Sequence, residues 1–376
     1  MRAVQLEKKH GAKAGERQTV AVCDIPLPSV RENMVLVKVL AAGLNRRDEW
    51  SAMGLYPGLV YKNATMGCDA CGILVDPHSL EPLENTLYLL TPMRGWEKDP
   101  AGPEAALPGT SASAATNEFG GCGFGLLGAT KQVVGAGTFC EYIAVDKSQL
   151  IPAPKHLSAV QCASLPCAVL TAFRALFTKG NVGKGANVLI TGIGGGVAIF
   201  ALQLAVAAGA HVFVTGGAEA KIEHAKRHGA TGGALYRDPE WPAQIRAMLP
   251  KEHAWIDVVI DSAGGDIPAQ SIRAGLRDGG RIVIYGMTAV PKTTIAMREV
   301  LKNVDVQGST LGSANEFRAS VRFVEQHRIV PDIDTVLPGL EHIEEGLSLL
   351  ADAGKRSGGK VVMEIGHAGG AQNAKV

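Results

Sequence analysis

The sequence lacks a strong net charge, a long apolar run and a signal peptide. Its 37 lysine and arginine residues are balanced by 36 aspartate and glutamate residues, which leaves no electrostatic footprint for nucleic acid or an anionic membrane. No window approaches the ~18 consecutive apolar residues of a membrane span, and Met1 to His10 has no apolar core. We therefore expect a cytoplasmic protein that binds neither nucleic acid nor a membrane.

Cysteine is also sparse. The chain has 7 cysteines in 376 residues, and an odd, scattered set of this kind is typical of reduced thiols rather than of a disulfide framework. The length is sufficient for two domains that each bury a core.

The most informative segment is 187–205, with the sequence NVLITGIGGGVAIFALQLA. Its first residues suit a buried strand, and Val197 begins a stretch with helical spacing. Between them Gly192, Gly195 and Gly196 would let the backbone turn sharply and bring its amides against a pyrophosphate. Glycines also occur in tight turns and linkers, but the flanking strand and helix favour a dinucleotide site.

The middle of the chain alternates strand and helix patterns. Strands are predicted at 211–215, 234–236, 256–261 and 281–285, with helices between them, which indicates one doubly wound parallel sheet. The first 150 residues contain short strand-like runs, such as 34–40 and 138–145, separated by turn residues, as in a compact β domain. The fold class is therefore α/β.

The C-terminal part of the chain and one internal segment give further structural predictions. Ser313 and Glu316 form an S-x-x-E capping box for a helix to about Gln326. A second helix is predicted near 341–353 and a last strand at 360–365. The segment 97–137 is rich in Gly, Ala, Ser and Pro with little periodicity, which predicts a surface loop insertion, either an ordinary loop or a lid.

Several strings together resemble a known family. They are AAGLNRRDEWSAMGLYPG from Ala41, GCDACG from Gly67, LPCAVLTAFRAL from Leu165, the glycine turn, and QGSTLGSANEF from Gln307. In content and order they are similar to the medium-chain dehydrogenase/reductase superfamily, and within it to the zinc-independent NADPH:quinone oxidoreductases. The resemblance implies a GroES-like β domain formed by 1–150 with 311–376, a Rossmann domain at 151–310 and a homodimer.

The cofactor expected from these residues is NADPH. An NAD site usually has an acidic residue after the second strand, but here Thr215 is followed by Gly216 and Gly217. Lys221 and Tyr236 match positions that hold the 2′-phosphate in the similar quinone reductases, although Lys221 could also be an ordinary solvated lysine.

The resemblance extends the cofactor contacts to further strand ends. It implies that the nicotinamide half of the cofactor would lie against Ser262, Tyr285, Gly286, Met287, Thr310 and Leu311. Lys355 and Arg356 precede Gly358-Gly359-Lys360, a pattern that reaches the cofactor in relatives but that could equally be a solvated turn.

The superfamily divides on a catalytic zinc, which Cys, His and Cys hold in the alcohol dehydrogenases. The matching positions here are Asn45, Cys68 and Cys167, with Asp69 in place of a glutamate and Arg47 in place of a proton-relaying hydroxyl. We expect no metal, although two thiols and a carboxylate could in principle still bind a metal ion. Cys68-x-x-Cys71 could be a redox pair or half of a metal site. No second cysteine pair follows at the spacing of a zinc ribbon, so we expect these thiols to be packed in the core.

Without a metal, hydride transfer requires an acceptor that needs only weak activation, such as a quinone or an enone. The resemblance implies that Asn45 donates to a carbonyl oxygen, that Trp50 and Tyr56 line the acceptor pocket, and that Thr171 faces the nicotinamide. Core packing and an ordinary helix threonine are the alternatives for these side chains.

Three functions remain open at this point. The first is an NADPH-dependent quinone oxidoreductase. The second is an NADPH-dependent reductase of enones, alkenals or enoyl thioesters, because the fold does not determine the substrate. The third is a crystallin-like or adaptor protein that binds NADPH without turnover.

Overall fold

The computed structural model describes residues 1–104 and 117–366 of the chain. Two large sheets lie in these residues, one of seven strands and one of six. Residues 105–116 of the predicted insertion, and 367–376 of the predicted C-terminal part of the β domain, lie outside the described ranges. In the described ranges no helix has both the length and the apolar character that crossing a membrane requires.

The seven-stranded sheet carries most of the N-terminal strands. Its strand order is β16 (Ile333–Pro338), β17 (Lys360–Glu364), β3, β4, β5 and β9, and β8 also pairs with β3. The strands of the N-terminal region are β1 (Arg2–Glu7), β2 (Thr19–Asp24), β3 (Met34–Gly43), β4 (Cys71–Val75), β5 (Tyr88–Leu90), β6 (Met93–Arg94), β7 (Gly125–Leu126), β8 (Tyr142–Asp146) and β9 (Leu150–Pro152). One short helix, α1 (Arg46–Ala52), follows β3 directly.

The six-stranded sheet is parallel throughout, with the order β12-β11-β10-β13-β14-β15. The strands are β10 (Asn187–Ile190), β11 (His211–Gly216), β12 (Gly232–Leu235), β13 (Ile256–Asp261), β14 (Leu276–Ile284) and β15 (Asp305–Gly308). All four residues of β10 are buried, as expected for a central strand covered on both faces. The order is that of a Rossmann sheet, so the predicted α/β fold class is confirmed.

The helices pack against these sheets. They are α2 (Ala159–Ala163), α3 (Pro166–Phe173), α4 (Gly196–Ala207), α5 (Glu219–Arg227), α6 (Trp241–Met248), α7 (Ile267–Arg273), α8 (Met297–Leu301), α9 (Ala314–Gln326) and α10 (Ile343–Ala351). Helix α3 continues through a π-helical stretch, Arg174–Lys179. The largest apolar cluster joins α3, α4 and α9 with the core-facing residues of both sheets.

The C-terminal strands return to the N-terminal sheet. β16 (Ile333–Pro338) is parallel to β17 (Lys360–Glu364), and β17 pairs antiparallel with β3, with Val362 opposite Gly43. Residues from the N-terminal and C-terminal parts of the described chain therefore share one sheet, and Lys360 begins β17, which lies between β16 and β3.

Most element predictions agree with the structure, with small shifts in bounds. The Ser313–Glu316 capping box is confirmed, and its helix ends at Gln326. The strand predicted at 138–145 begins only at Tyr142. Residues 138 and 139 donate their amides to the carbonyls of Gly67 and Met66 instead, so they extend along a different segment.

The segment 97–137 lies less at the surface than predicted. Leu127, Val133 and Ala136 are buried in the main apolar cluster. The Arg47 guanidinium donates to the carbonyls of Leu127 and Gly128, at 2.8 Å each. Much of the second half of this segment therefore belongs to the core, although Val134 in the same part is 46% exposed.

A buried ion pair joins α3 to α9. Arg174 donates to both carboxylate oxygens of Glu316, at 2.8 and 3.0 Å, and to the carbonyl of Pro100 at 2.8 Å. The guanidinium also lies 4.5 Å from the ring centre of Trp96. Glu316 belongs to the capping box of α9, so one carboxylate caps a helix and neutralises a buried cation.

We predict that Arg174→Met destabilises the protein by about 3 kcal/mol or more, because it leaves the carboxylate of Glu316 buried without a cation. Urea unfolding followed by circular dichroism measures the change. Arg273→Met is the matched control, since the Arg273–Glu240 pair is exposed and 3.7 Å long, and its loss should cost about 0–1 kcal/mol. Equal losses in the two variants would contradict the prediction.

Candidate functional site

The glycine turn forms the first wall of the candidate site. Gly192 and Gly194 have φ values of +66° and +127°, which a residue with a side chain rarely adopts. The Gly192 amide donates to Thr215 Oγ1 at 3.1 Å, and α4 begins at Gly196. The turn therefore presents a helix N-terminus, whose free amides favour an anion.

The C-terminal turn before β17 rests on the glycine turn. Gly359 donates its amide to the carbonyl of Gly194 at 3.3 Å. A Cβ on Gly196 would come within 2.6 Å of Lys360 Cδ. Gly196 is therefore required not only for a ligand but also because the Lys360 side chain lies over it.

Two cavities share the glycine turn. One, of about 500 Å³, is lined by Thr215, Gly217, Lys221 and Tyr236 from the predicted set. The other, of about 320 Å³, is lined by Asn45, Gly196, Val197, Tyr285 and Lys360. The residues that line both are Gly192, Gly195, Ser262, Thr288 and Arg356. The two cavities therefore form one continuous cleft along the carboxyl edge of the parallel sheet, where ligands bind in folds of this kind.

A third cavity of about 460 Å³ adjoins the cleft at Tyr285. Gly286, Met287 and Thr310 line it, together with Arg174 and Trp96. Most of the residues predicted to contact a cofactor are thus brought together. Leu311 lines none of these three cavities and is buried with φ +39°.

The floor of the smaller cavity is a buried hydrogen-bond network around Asp69. The carboxylate accepts the Cys167 amide at 2.9 Å on Oδ1, and Asn45 Nδ2 at 2.9 Å and Lys360 Nζ at 3.1 Å on Oδ2. Lys360 Nζ also donates to Asn45 Oδ1 at 2.7 Å. Both ends of the Asn45 amide therefore have partners within the protein, which differs from the simple donor to a substrate oxygen that the sequence suggested.

Two thiols lie beside this network. Cys68 Sγ and Cys167 Sγ are 3.2 Å apart and buried. The contact with Cys68 and burial raise the pKa of Cys167 well above its ordinary value, which favours the neutral thiol at neutral pH. With Asp69 they form a cluster whose potential ligand atoms all lie within 4.8 Å of one another.

Of the other predicted catalytic side chains, Tyr56 lies beside Arg47. The guanidinium is buried and lies 4.5 Å from the ring centre of Tyr56, and burial raises the pKa of the Tyr56 hydroxyl. Trp50 is half-buried on α1. Thr171 donates to the Cys167 carbonyl at 2.7 Å, the usual bond of a helix threonine. Tyr56, Trp50 and Thr171 line none of the three cavities described.

Two cations approach each other in the larger cavity. Burial and the neighbouring Arg356 lower the pKa of Lys221. Burial also lowers the pKa of Arg356, whose Nε is buried without a hydrogen-bond acceptor. Mutual repulsion between two partly buried cations makes this end of the cleft a favourable place for a polyanion. Lys355 of the same turn points elsewhere and donates to Ser348 Oγ.

Sequence reasoning missed two members of the site. Gly194 was not distinguished from its neighbours, and the pairing of Lys360 with Asp69 was not foreseen. A signal for the second was present, because a lysine at the start of the apolar strand KVVM must find a partner when that strand is buried.

Comparisons with known proteins agree with this architecture. Residues 31–155 match the family model of the alcohol dehydrogenase GroES-like domain, and 196–326 match that of the zinc-binding dehydrogenases. A zinc-type alcohol dehydrogenase-like protein, YogA, from Leptosphaeria maculans is 37% identical over 90% of this chain and 92% of its own length. The chain belongs to the medium-chain dehydrogenase/reductase superfamily. The superfamily consists largely of oxidoreductases, so the predicted family and enzyme class are confirmed at this level.

More distant relatives differ in their reported activities. A chloroplast envelope quinone oxidoreductase homolog from Arabidopsis thaliana is 28% identical over 61% of this chain and 70% of its own. An acryloyl-coenzyme A reductase from Metallosphaera sedula is 26% identical over 93% of this chain and 97% of its own. A solved structure of an NAD-dependent alcohol dehydrogenase superposes with a TM-score of 0.80 at 30% identity, covering 97% and 100% of the two chains.

Proposed function

We propose that this protein is a zinc-independent, NADPH-dependent quinone oxidoreductase. The observation that carries the proposal is the saturated Asp69 network at the cleft floor, in the position where the zinc enzymes of the superfamily hold their metal. The Asn45 amide stands at the first of the three ligand positions, with the Lys360 ammonium group beside it, so the reaction requires an acceptor that hydrogen bonds and charge can activate.

The residues present do not fit a catalytic zinc ion. The three hydrogen bonds to Asp69 leave its carboxylate committed, with Lys360 Nζ only 3.1 Å away. Two thiolates on one tetrahedral zinc lie about 3.8 Å apart, whereas the two thiols are 3.2 Å apart.

The residues do fit a dinucleotide phosphate. The glycine turn and the N-terminus of α4 would hold the pyrophosphate. Lys221, Arg356 and the Tyr236 hydroxyl surround the larger cavity, and no acidic side chain follows β11 before Glu219. These features favour a 2′-phosphate over a free ribose hydroxyl. When bound, NADPH would supply a hydride.

The chain's own contribution is positioning and charge. Asn45 is held at both ends of its amide, so it forms a fixed edge of the smaller cavity rather than a mobile donor. Lys360 adds a cation there, which would stabilise negative charge as it develops on an acceptor oxygen. A conjugated quinone spreads that charge, which lowers the demand on the protein.

A reductase of enones or enoyl thioesters is the second candidate. Its support is the similarity to the acryloyl-coenzyme A reductase over almost the whole chain. The floor that would activate a quinone oxygen would act in the same way on an enone carbonyl.

An acceptor screen distinguishes these candidates. We expect NADPH oxidation to depend on added benzoquinone or naphthoquinone and to persist after treatment with a strong chelator, because no step uses a metal. Stopped-flow absorbance of NADPH measures both. Oxidation that depends only on an enone or enoyl thioester would support the second candidate. If none of these acceptors supports NADPH oxidation, a binding protein without turnover is favoured. A thiolate charge-transfer band on addition of Co²⁺, which would place a metal at Cys68 and Cys167, would contradict zinc independence.

Lys221 provides a test of cofactor choice. We predict that Lys221→Ala raises the Kd of NADPH by about 10- to 100-fold, because a charge-assisted bond to phosphate is lost, while the Kd of NADH changes little. Fluorescence titration measures both constants. Lys226→Ala is the matched control, since Lys226 lies on the same helix and pairs with Glu223 at the surface. Equal losses for the two cofactors would argue against a 2′-phosphate site.

We further propose that the protein is a homodimer joined at β15. This strand pairs only with β14 among the described residues and so presents a free edge. Beside it Met297, Val300 and Leu301 of α8 are largely exposed. An exposed apolar helix next to an unpaired strand edge is suited to burial against a second copy.

We predict that the double variant Val300→Asp with Leu301→Glu is monomeric while retaining its circular dichroism spectrum, because both side chains are exposed. Light scattering after size-exclusion chromatography measures the mass. Leu83→Glu introduces one carboxylate at an exposed leucine between β4 and β5 of the seven-stranded sheet and should leave the mass unchanged. A double variant that remains dimeric would exclude this interface.

A further inference from the structure

Two histidines and an aspartate meet behind the glycine turn, outside the cleft. His224 lies on α5 and His228 caps its end, so the two side chains are four residues apart on one helix face. His224 Nε2 is hydrogen-bonded to Asp332 Oδ2, and His228 Nε2 lies 3.6 Å from the same oxygen. The three potential ligand atoms all lie within 4.8 Å of one another.

The three side chains are partly buried and held by rigid elements. Their exposed fractions are 21% for His224, 27% for His228 and 17% for Asp332. The Asp332 carbonyl accepts the Lys360 amide at 2.9 Å, which joins this residue to β17. The ligands therefore come from two elements whose backbones are already in position, so little entropy would be lost on binding.

The chemistry of this cluster is that of a transition-metal site. Two imidazoles and one carboxylate are nitrogen and oxygen ligands that suit zinc and its neighbours in the first row. An imidazole binds a metal in its neutral form.

We propose that His224, His228 and Asp332 bind a divalent first-row transition-metal ion of the Zn²⁺ class through the two Nε2 atoms and a carboxylate oxygen. Ligand atoms on one tetrahedral ion are about 3.3 Å apart, close to the 3.6 Å between His228 and Asp332. Water completes the tetrahedron.

Binding requires three local changes. Gln203 Nε2 lies 3.5 Å from His228 Nδ1, and this contact between two donors must open when Nδ1 carries the proton. The hydrogen bond between His224 and Asp332 opens as the ion replaces the proton between them. An imidazole bound through Nε2 carries its proton on Nδ1, so Arg227, which donates to His224 Nδ1 at 3.1 Å, must release it. Arg227 is exposed on α5, so its side chain can turn away into water.

The position of the site gives it a structural consequence. It would join α5, which packs on the six-stranded sheet, to the residue that precedes β16 in the seven-stranded sheet. Helix α5 also carries Lys221, and β17 carries Lys360. A bound ion would thus hold together two walls of the cleft without contacting its interior, and the inference does not depend on which substrate the cleft accepts.

Cobalt titration of the full-length, chelator-treated protein tests the site. We expect one Co²⁺ per chain with weak visible bands and no intense thiolate charge-transfer band near the ultraviolet, because the ligands contain no sulfur. Zn²⁺ should compete with Co²⁺ and raise the Tm. His228→Gln and His224→Gln should each weaken the affinity by at least about 100-fold, since even indirect ligand partners contribute 10- to 100-fold.

Two variants serve as controls. His211→Gln alters an exposed histidine at the start of β11 and should leave Co²⁺ binding unchanged. Arg227→Ala removes the competing donor and should bind at least as tightly as the unaltered protein. The proposal is overturned if no ion binds, if a thiolate band shows that Cys68 and Cys167 bind it instead, or if His228→Gln, with an unchanged circular dichroism spectrum, binds as well as the unaltered protein.

Discussion

The buried carboxylate of Asp69 is the constraint on which the site depends. It is fully buried, and a charge in that position costs several kcal/mol unless it is paired and hydrogen-bonded. Besides the neighbouring Cys68 thiol, its partners come from the N-cap of α1, the first turn of α3 and the start of β17. Segments nearly 300 residues apart must therefore be in place together before the carboxylate is satisfied.

Close packing around this carboxylate explains glycines that have no ligand to contact. A Cβ on Gly43 would come within 2.4 Å of the Ala163 carbonyl and 3.2 Å of Asp69 Cβ. In the same way, a Cβ on Gly196 would collide with the methylene groups of the Lys360 side chain. The absence of a side chain at these two positions thus lets the ionic network close around Asp69.

The sequence was a good guide to elements with a local signal and a poor one to contacts between distant segments. The glycine turn, the parallel sheet and the capping box at Ser313 follow from residues close together in the chain, and the structure has them all. The inward packing of Leu127 and the pairing of Lys360 with Asp69 depend on tertiary contacts, so no local pattern could supply them. Thr171 and Tyr56 have partners within the protein that a family resemblance cannot reveal.

The antiparallel pairing of β17 with β3 has a consequence for synthesis on the ribosome. The six-stranded sheet is contiguous in the chain and can close once Gly308 has emerged. β3 ends at Gly43 but receives β17 only after residue 360, and at ~5–20 residues per second this delay lasts tens of seconds. Residues 41–43 of β3, beyond the part of that side that β8 covers, thus stay unpaired there until late, and β17 both pairs with them and delivers the ammonium group that neutralises Asp69.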